Sequence, residues 1–200
     1  MRAFATSFVF PAVALAAAIT QRSVPEGPWS AGIWRMPTQD GEPMFTGDGI
    51  NANGGKFFVN RNASTYCPDT VEELDCSAYP GTRTVFSGGN NTVFLDVAVP
   101  GGQQVYVDVD GSLSYTVPHS AYMPEGSNAT GWSRSMSQAF GAPIILSNNN
   151  KFWAICPVTE GLPKERTYQV FVGQSKEGCL NTEVRTYTYT SSGPNAWEYV

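Results

Sequence analysis

Short runs of strand-forming residues, separated by glycine and proline, most strongly limit how this chain can fold. Its 200 residues include 20 glycines and 14 prolines, which interrupt the sequence too often for long helices. The intervening runs are rich in Val, Phe, Tyr and Thr, the residues that favour strands. We therefore predict an all-β fold, a single-domain antiparallel β-barrel or β-sandwich. The predicted strands are Ala31–Met36, Lys56–Asn60, Thr92–Val99, Gln103–Val109, Leu113–Val117, Ile144–Leu146, Lys151–Ile155, Tyr168–Val172, Glu183–Thr190 and Ala196–Tyr199. One or two helical turns are expected at Val71–Leu74 and Ser133–Phe140.

An Asp-Gly pair between two alternating runs predicts a β-hairpin. A two-residue turn at this pair would mix apolar and polar side chains on one face of the hairpin, so we reject that register. A three-residue loop instead pairs Val107 with Leu113 and Val105 with Tyr115. The same loop places Gly111 at the left-handed position that such loops require.

The beginning of the chain has the pattern of a secretory signal peptide. A positive start at Met1-Arg2 precedes an uncharged apolar run from Phe8 to Ile19, and small residues near the end of this run, Ala14 and Ala16–Ala18, offer cleavage sites. The run is too short to span a bilayer, which takes about 20 residues. We therefore expect residues 1–18 to be a signal peptide, with cleavage near Ala18, and residues 19–200 to form a single secreted all-β domain.

Four cysteines follow the predicted signal peptide. An even number in an exported chain indicates two disulfides, with three possible connectivities. We favour Cys67–Cys76 and Cys156–Cys179, because near neighbours lose the least entropy on loop closure. A zinc site is disfavoured because no Cys-x-x-Cys pair occurs and the single histidine is distant in sequence. We expect no metal ion and no cofactor.

Three Asn-x-Ser/Thr sequons offer possible N-glycosylation sites. They begin at Asn62, Asn90 and Asn128. A glycan at any of them would require a surface position for that asparagine and a eukaryotic secretory pathway.

The low charge content excludes several classes of protein. Only 14% of the residues are charged, with 12 basic and 17 acidic side chains, so the net charge is -5. Coiled coils and solvated helix bundles need charged faces, and nucleic-acid binding needs clustered Lys and Arg. We therefore expect no nucleic-acid partner. No apolar run after the signal peptide is long enough to span a membrane, so we expect no membrane partner either.

Two groups of carboxylates could in principle bind a cation. The loop between Cys67 and Cys76 contains four of them, and these are Asp69, Glu72, Glu73 and Asp75. Such a loop is more often simply solvated. Asp108 and Asp110 lack the further oxygen ligands of a calcium loop. The hairpin register instead places Asp110 in the turn, and Asp108 on the solvent face with Ser112 and Ser114.

No convincing catalytic group emerges from the sequence. His119 would have to serve any Ser-His-Asp triad, but no nucleophile elbow accompanies it, so a turn position is favoured. Asp96 and Glu183 are candidate glycosidase carboxylates in predicted strands, and neither has an identifiable partner. We therefore predict no catalytic residues and no enzymatic activity.

Tryptophans could stack on sugar rings if they are exposed. Trp153 lies in an apolar run and is expected in the core. Trp29 and Trp132 lie among Pro, Gly and Ser residues and are the better candidates for exposure.

Several segments resemble fungal secreted proteins known as the IgE-binding protein family, and the related phialide cell-wall protein PhiA. The resemblance is carried by Ala31–Arg35, Gly54–Val59, Gln103–Thr116, His119–Pro124, Ala154–Pro157, Tyr168–Val172 and Cys179. It covers most of the chain after the signal peptide, and the order of the four cysteines fits. The segment Trp34–Pro37 departs from it, because its side chains are bulkier than the small residues expected there.

The resemblance implies export by a filamentous ascomycete and, for some members, association with the hyphal or spore wall. The family name records recognition by host antibodies and implies no catalytic residues. We therefore expect a non-enzymatic secreted protein of the cell wall or extracellular space that acts through surface binding. Its partner would be a cell-wall polysaccharide or a host protein. The alternatives are a secreted effector or antigen acting on a host and, less favoured, a glycan-active hydrolase.

Overall fold

Nearly all of the regular structure consists of β-strands, as the sequence predicts. The computed structural model describes residues 23–200, so the predicted signal peptide lies outside the described residues. The strands are β1 (Trp29–Arg35), β2 (Phe45–Gly49), β3 (Asn51–Asn53), β4 (Lys56–Val59), β5 (Thr65–Tyr66), β6 (Phe86–Leu95), β7 (Val105–Val107), β8 (Leu113–Tyr115), β9 (Trp132–Met136), β10 (Ile144–Asn148), β11 (Trp153–Pro157), β12 (Tyr168–Val172), β13 (Leu180–Thr188) and β14 (Glu198–Tyr199). One short 3₁₀ helix spans Cys76–Ala78.

The strands form a curled, barrel-like antiparallel sheet. β1 pairs with β2, and the chain bends at Ile50 into β3, which pairs with β4. The pairing continues from β4 through β12 and β11 to β13, and β13 pairs again with β1. The far end of β13 pairs with β10, which leads through β9 to β6. β5 and β14 form a separate two-stranded sheet.

The ten predicted strands all occur, with boundaries shifted by a few residues in most. Tyr168–Val172 was predicted with its observed bounds, and the hairpin has the predicted register, with Val107 opposite Leu113. Gly111 has the expected positive φ of 81°. The helical turns predicted within Ser133–Phe140 are wrong over most of that segment, because it begins as strand β9. The alternating serines there belong to a strand whose polar side faces outward.

Aromatic side chains fill the interior of the curled sheet. The rings of Trp29 and Phe86 stack with centroids 4.8 Å apart, and Phe57 contacts both Phe86 and Tyr115. Fully burying such a side chain contributes of the order of 2–3 kcal/mol, so this group is a major source of stability.

The expected exposure of Trp29 and Trp132 is wrong. Their exposed fractions are 0% and 2%, and Trp153 is buried as predicted. Each of the two indole N–H groups donates to a backbone carbonyl, of Gly88 for Trp29 and of Ala129 for Trp132. These hydrogen bonds remove the cost of burying the polar end of the indole.

Both favoured disulfides are present. Cys67 bonds to Cys76 across nine residues, and Cys156 bonds to Cys179 across 23 residues. The first disulfide closes the acidic loop ahead of the 3₁₀ helix. The second links β11 to the segment before β13 and packs against Phe171.

Gln103 joins the β7–β8 hairpin to β14 through buried hydrogen bonds. Its side chain has an exposed fraction of 0%. Its amide nitrogen donates to the carbonyls of Thr116 and Tyr199, and its amide oxygen accepts from the backbone N–H of Tyr199 at 2.8 Å. Each of these backbone groups would be unsatisfied without the glutamine.

Replacing Gln103 with alanine is therefore expected to lower the free energy of unfolding by roughly 3–5 kcal/mol. Equilibrium denaturation in urea measures this change. The matched control is Gln104→Ala, because the half-buried Gln104 side chain makes no hydrogen bond to the described residues. Comparable losses for the two variants would contradict the role given to Gln103.

The two disulfides should contribute unequally to stability. Loop-closure entropy predicts that the double variant C156A/C179A loses about 3 kcal/mol, and that C67A/C76A loses somewhat less, because its loop is shorter. Denaturant unfolding of the two double variants, compared with the oxidised protein, tests the order. A greater loss for C67A/C76A would show that loop entropy is not the deciding contribution.

Candidate functional site

A groove of about 560 Å³ lies on the outer face of the sheet, where β2, β1 and β13 run side by side. One side is formed by these strands and the other by the segment 82–84. Aromatic, hydroxyl and amide side chains share the lining with a single arginine. The lining residues are Ser30, Ala31, Trp34, Thr46, Gly47, Gly49, Ile50, Asn51, Thr82, Arg83, Thr84, Tyr187, Thr188 and Tyr189.

Two aromatic side chains from different strands form the aromatic part of this groove. The Trp34 indole N–H donates a hydrogen bond to the Tyr187 hydroxyl, which joins β1 to β13 on the outer face. The Arg185 guanidinium lies 4.0 Å from the centre of the Trp34 ring and is held by Glu183 at 2.6 Å. These contacts therefore hold the aromatic pair in one orientation.

Two glycines allow the backbone to come close beneath the aromatic pair. A Cβ atom added to Gly32 would lie 2.8 Å from the carbonyl oxygen of Gly47, which is too close for any side chain. Gly47 has a φ of +110°, and a Cβ there would lie 3.2 Å from the Tyr187 hydroxyl. The register of β1 and β2 shifts at this point, between Ile33 and Trp34. A side chain at Gly32 would push β2 away from β1, and one at Gly47 would crowd the Tyr187 hydroxyl.

The opposite wall is fixed through its backbone and leaves the Arg83 side chain exposed. The Arg83 carbonyl accepts hydrogen bonds from the Asn195 amide at 2.7 Å and the Tyr199 hydroxyl at 2.9 Å. Burial raises the pKa of Tyr199 to about 12, so the phenol stays neutral and can donate. The backbone N–H of Thr84 donates a hydrogen bond to the side-chain oxygen of Asn51. No carboxylate lies within salt-bridge distance of Arg83 in the part of the chain that the structure describes.

The two candidate glycosidase carboxylates lie in different surroundings. Asp96 accepts a hydrogen bond from the backbone N–H of Asn195 at 3.3 Å, and burial raises its pKa above the ordinary value. Glu183 is paired with Arg185 on the outer face. Among the described residues, the Asp96 and Glu183 side chains have no hydrogen-bond partner in common, and neither lines the groove.

The remaining candidates from the sequence are His119 and the acidic loop between Cys67 and Cys76. His119 is exposed in a turn with a φ of 58°. In the acidic loop, Asp75 accepts two hydrogen bonds from Ser77, which lower the pKa of Asp75, and it caps the 3₁₀ helix. Residues 23–200 contain no cluster of three His, Cys, Asp or Glu side chains suited to a metal ion.

The polar face of the hairpin is not the solvent face that the sequence suggested. Ser112 and Ser114 have exposed fractions of 0%, so that prediction is wrong for both serines. The Lys56 ammonium group from β4 covers this face, with Asp108, Ser112 and Ser114 oxygens all 2.8–2.9 Å away. Asp110, in the turn, accepts from Ser112.

The sequon asparagines are all accessible. Asn62 and Asn90 are exposed, and Asn128 is half-buried. The Asn128 side-chain oxygen accepts hydrogen bonds from Thr130, and its amide nitrogen makes none to the described residues. Glycosylation at the three positions stays a prediction.

The fold and groove together describe a disulfide-bonded all-β protein with an aromatic-lined outer surface. A family model described as PhiA-like secreted protein matches residues 36–200, and the chain belongs to this family. A relative from Arthroderma benhamiae, described as an uncharacterized secreted protein, is 30% identical over 203 aligned residues. The alignment covers 97% of this chain and 96% of the relative. No solved structure matches the chain.

Sequence reasoning did not find the groove. It did not consider Arg83 and noted Trp34 only as part of a bulky departure, and the two residues line the groove from distant parts of the chain. One signal was present, because strict alternation from Thr186 to Thr190 predicts tyrosines on one face. In the structure Thr186 is buried and Tyr187 is 40% exposed.

No helix within residues 23–200 has the length and apolar character needed to cross a bilayer.

The ion pair between Asp108 and Lys56 should make the free energy of unfolding fall at acidic pH. Burial alone would raise the pKa of Asp108, but hydrogen bonds from Lys56, Val109 and Ser127 lower it overall. A carboxyl with a lowered folded pKa stabilises above its unfolded pKa of about 4, and this stabilisation is lost as the pH falls further. We expect Asp108→Asn to be less stable at pH 7 and to lose less stability between about pH 5 and 2.

Thermal unfolding across this pH range measures the effect. Asp69→Asn is the control, because this exposed carboxylate accepts no hydrogen bond from the described residues. An acid profile for Asp108→Asn that matches the wild-type profile would contradict the assignment.

Proposed function

We propose that this PhiA-like protein is exported and works without catalysis, by binding through its outer surface in the fungal wall or the extracellular space. The groove between β1, β13 and the segment 82–84 carries this proposal. Its volume of about 560 Å³ lies within the usual range of ligand sites, about 300–1,000 Å³. Aromatic side chains with a few polar groups are the typical lining of such sites.

The chemistry of the lining supports binding rather than hydrolysis. Glycoside hydrolysis by the usual route needs two carboxyl groups flanking the bond that breaks. The groove lining, all of it within the described residues, contains no carboxylate, histidine or cysteine. On the outer face of β13, the Glu183 carboxylate is engaged by Arg185.

The disulfides and the aromatic core suit a protein that works outside the cell. Disulfides persist in oxidising compartments, and all four cysteines are paired. The PhiA-like family is described as secreted, and so is the Arthroderma benhamiae relative. We propose that the same destination applies to this chain.

Incubating the purified protein with washed fungal wall fragments tests the proposal. We expect it to sediment with the wall material and to be released by a denaturant. Bovine serum albumin at the same concentration is the control for trapping. A protein that stays in the supernatant with every wall preparation would contradict wall binding.

The absence of catalysis is tested in the same material by measuring released reducing ends. We expect no release above that of a boiled sample. Sugar release that disappears in Asp96→Asn or Glu183→Gln would overturn the non-enzymatic proposal and identify a hydrolase.

A further inference from the structure

We propose that the outer-face groove binds a neutral polysaccharide chain, with sugar rings stacked against the Trp34–Tyr187 pair and hydroxyl groups meeting Arg83 on the opposite wall. This inference rests on the proposed function and adds its ligand class and residues. It begins from the pair of aromatic side chains, which are joined by a hydrogen bond and partly exposed.

Aromatic rings suit sugars because the negative face of the ring attracts the polarised C–H groups on a pyranose face. Tyr187 is 40% exposed, and Trp34 is half-buried, so both can contact a ligand. Tyr189 continues the tyrosine row along the chain, and its hydroxyl is held by Asn195 at 3.0 Å. A fixed aromatic surface loses little conformational entropy when it binds.

The polar lining provides hydrogen-bonding groups that remain available. The hydroxyl groups of Ser30, Thr46, Thr82 and Thr188 make no hydrogen bonds to other described side chains or backbone groups. A hydroxyl both donates and accepts, which matches the hydroxyl groups of a sugar. Arg83 adds donors without a competing carboxylate partner.

The charge of the lining favours a neutral ligand. Arg83 is its only charged side chain, and the whole chain carries a net charge of -5. Recognition of an acidic polymer relies on clustered basic side chains, and a single arginine does not form such a cluster. A cationic ligand would find no carboxylate in the lining.

Sedimentation with purified polysaccharides tests the inference. The probes are insoluble β-1,3-glucan, chitin and, as the acidic polymer, calcium alginate beads. We expect the purified full-length secreted protein to bind at least one of the two neutral polymers and to bind alginate much more weakly. Stronger binding to alginate than to either neutral polymer would overturn the assignment of a neutral ligand.

Variants then locate the binding surface. Tyr187→Ala and Arg83→Gln should each weaken binding to the preferred neutral polymer by about tenfold, the effect expected for one aromatic contact or one good hydrogen-bonding group. Phe140→Ala is the matched control, because Phe140 is a fully exposed aromatic residue outside the groove lining. It should bind as the wild type does.

Tyr187→Phe keeps the ring and removes only the hydroxyl that accepts from Trp34. It should retain more binding than Tyr187→Ala, and it guards against misfolding of the alanine variant, which thermal unfolding would reveal. Unchanged binding by both Tyr187→Ala and Arg83→Gln would overturn the groove assignment and leave wall binding intact. Failure of the wild type to bind whole walls would instead contradict the proposed function itself.

Discussion

The antiparallel pairing of β1 with β13 is the contact on which the rest of the structure depends. It joins six residue pairs, from Trp29–Thr188 to Trp34–Glu183, and completes the circuit of strands. Alternation along the two strands gives this pairing two faces. Ile33 and Val184 point into the core with exposed fractions of 0%, and Trp34 and Tyr187 lie on the outer face. One set of backbone hydrogen bonds therefore holds both the core and the groove.

The sequence predicts local structure well wherever a period of two is strict. The hairpin register follows from matching apolar faces, because a shift by one residue would turn Val105 and Val107 to the wrong side. Both disulfides follow from short separation. β9 was missed because its serines and its arginine give no apolar alternation, and the strand forms by pairing with β10 and β6.

Contacts between distant segments account for what the sequence did not predict. The surroundings of Trp29 and Trp132 in sequence suggest exposure, but Phe86 and Trp153 cover them in the fold. The serines of the hairpin appear polar and solvated, but Lys56 reaches them from β4. The groove combines β1, β13 and Arg83, so its composition depends on a topology that no local pattern encodes.

The close backbone approach of Gly32 and Gly47 separates the shape of the groove from its chemistry. The distance between β1 and β2 is fixed where the carbonyl of Gly47 meets Gly32, so it does not depend on which side chains line the walls. Exposed wall positions such as Thr46, Thr82 and Thr188 can change at a cost usually within about 0.5 kcal/mol. Side chains on the walls can therefore be varied without moving the two strands, which makes this frame a practical scaffold for engineering new recognition.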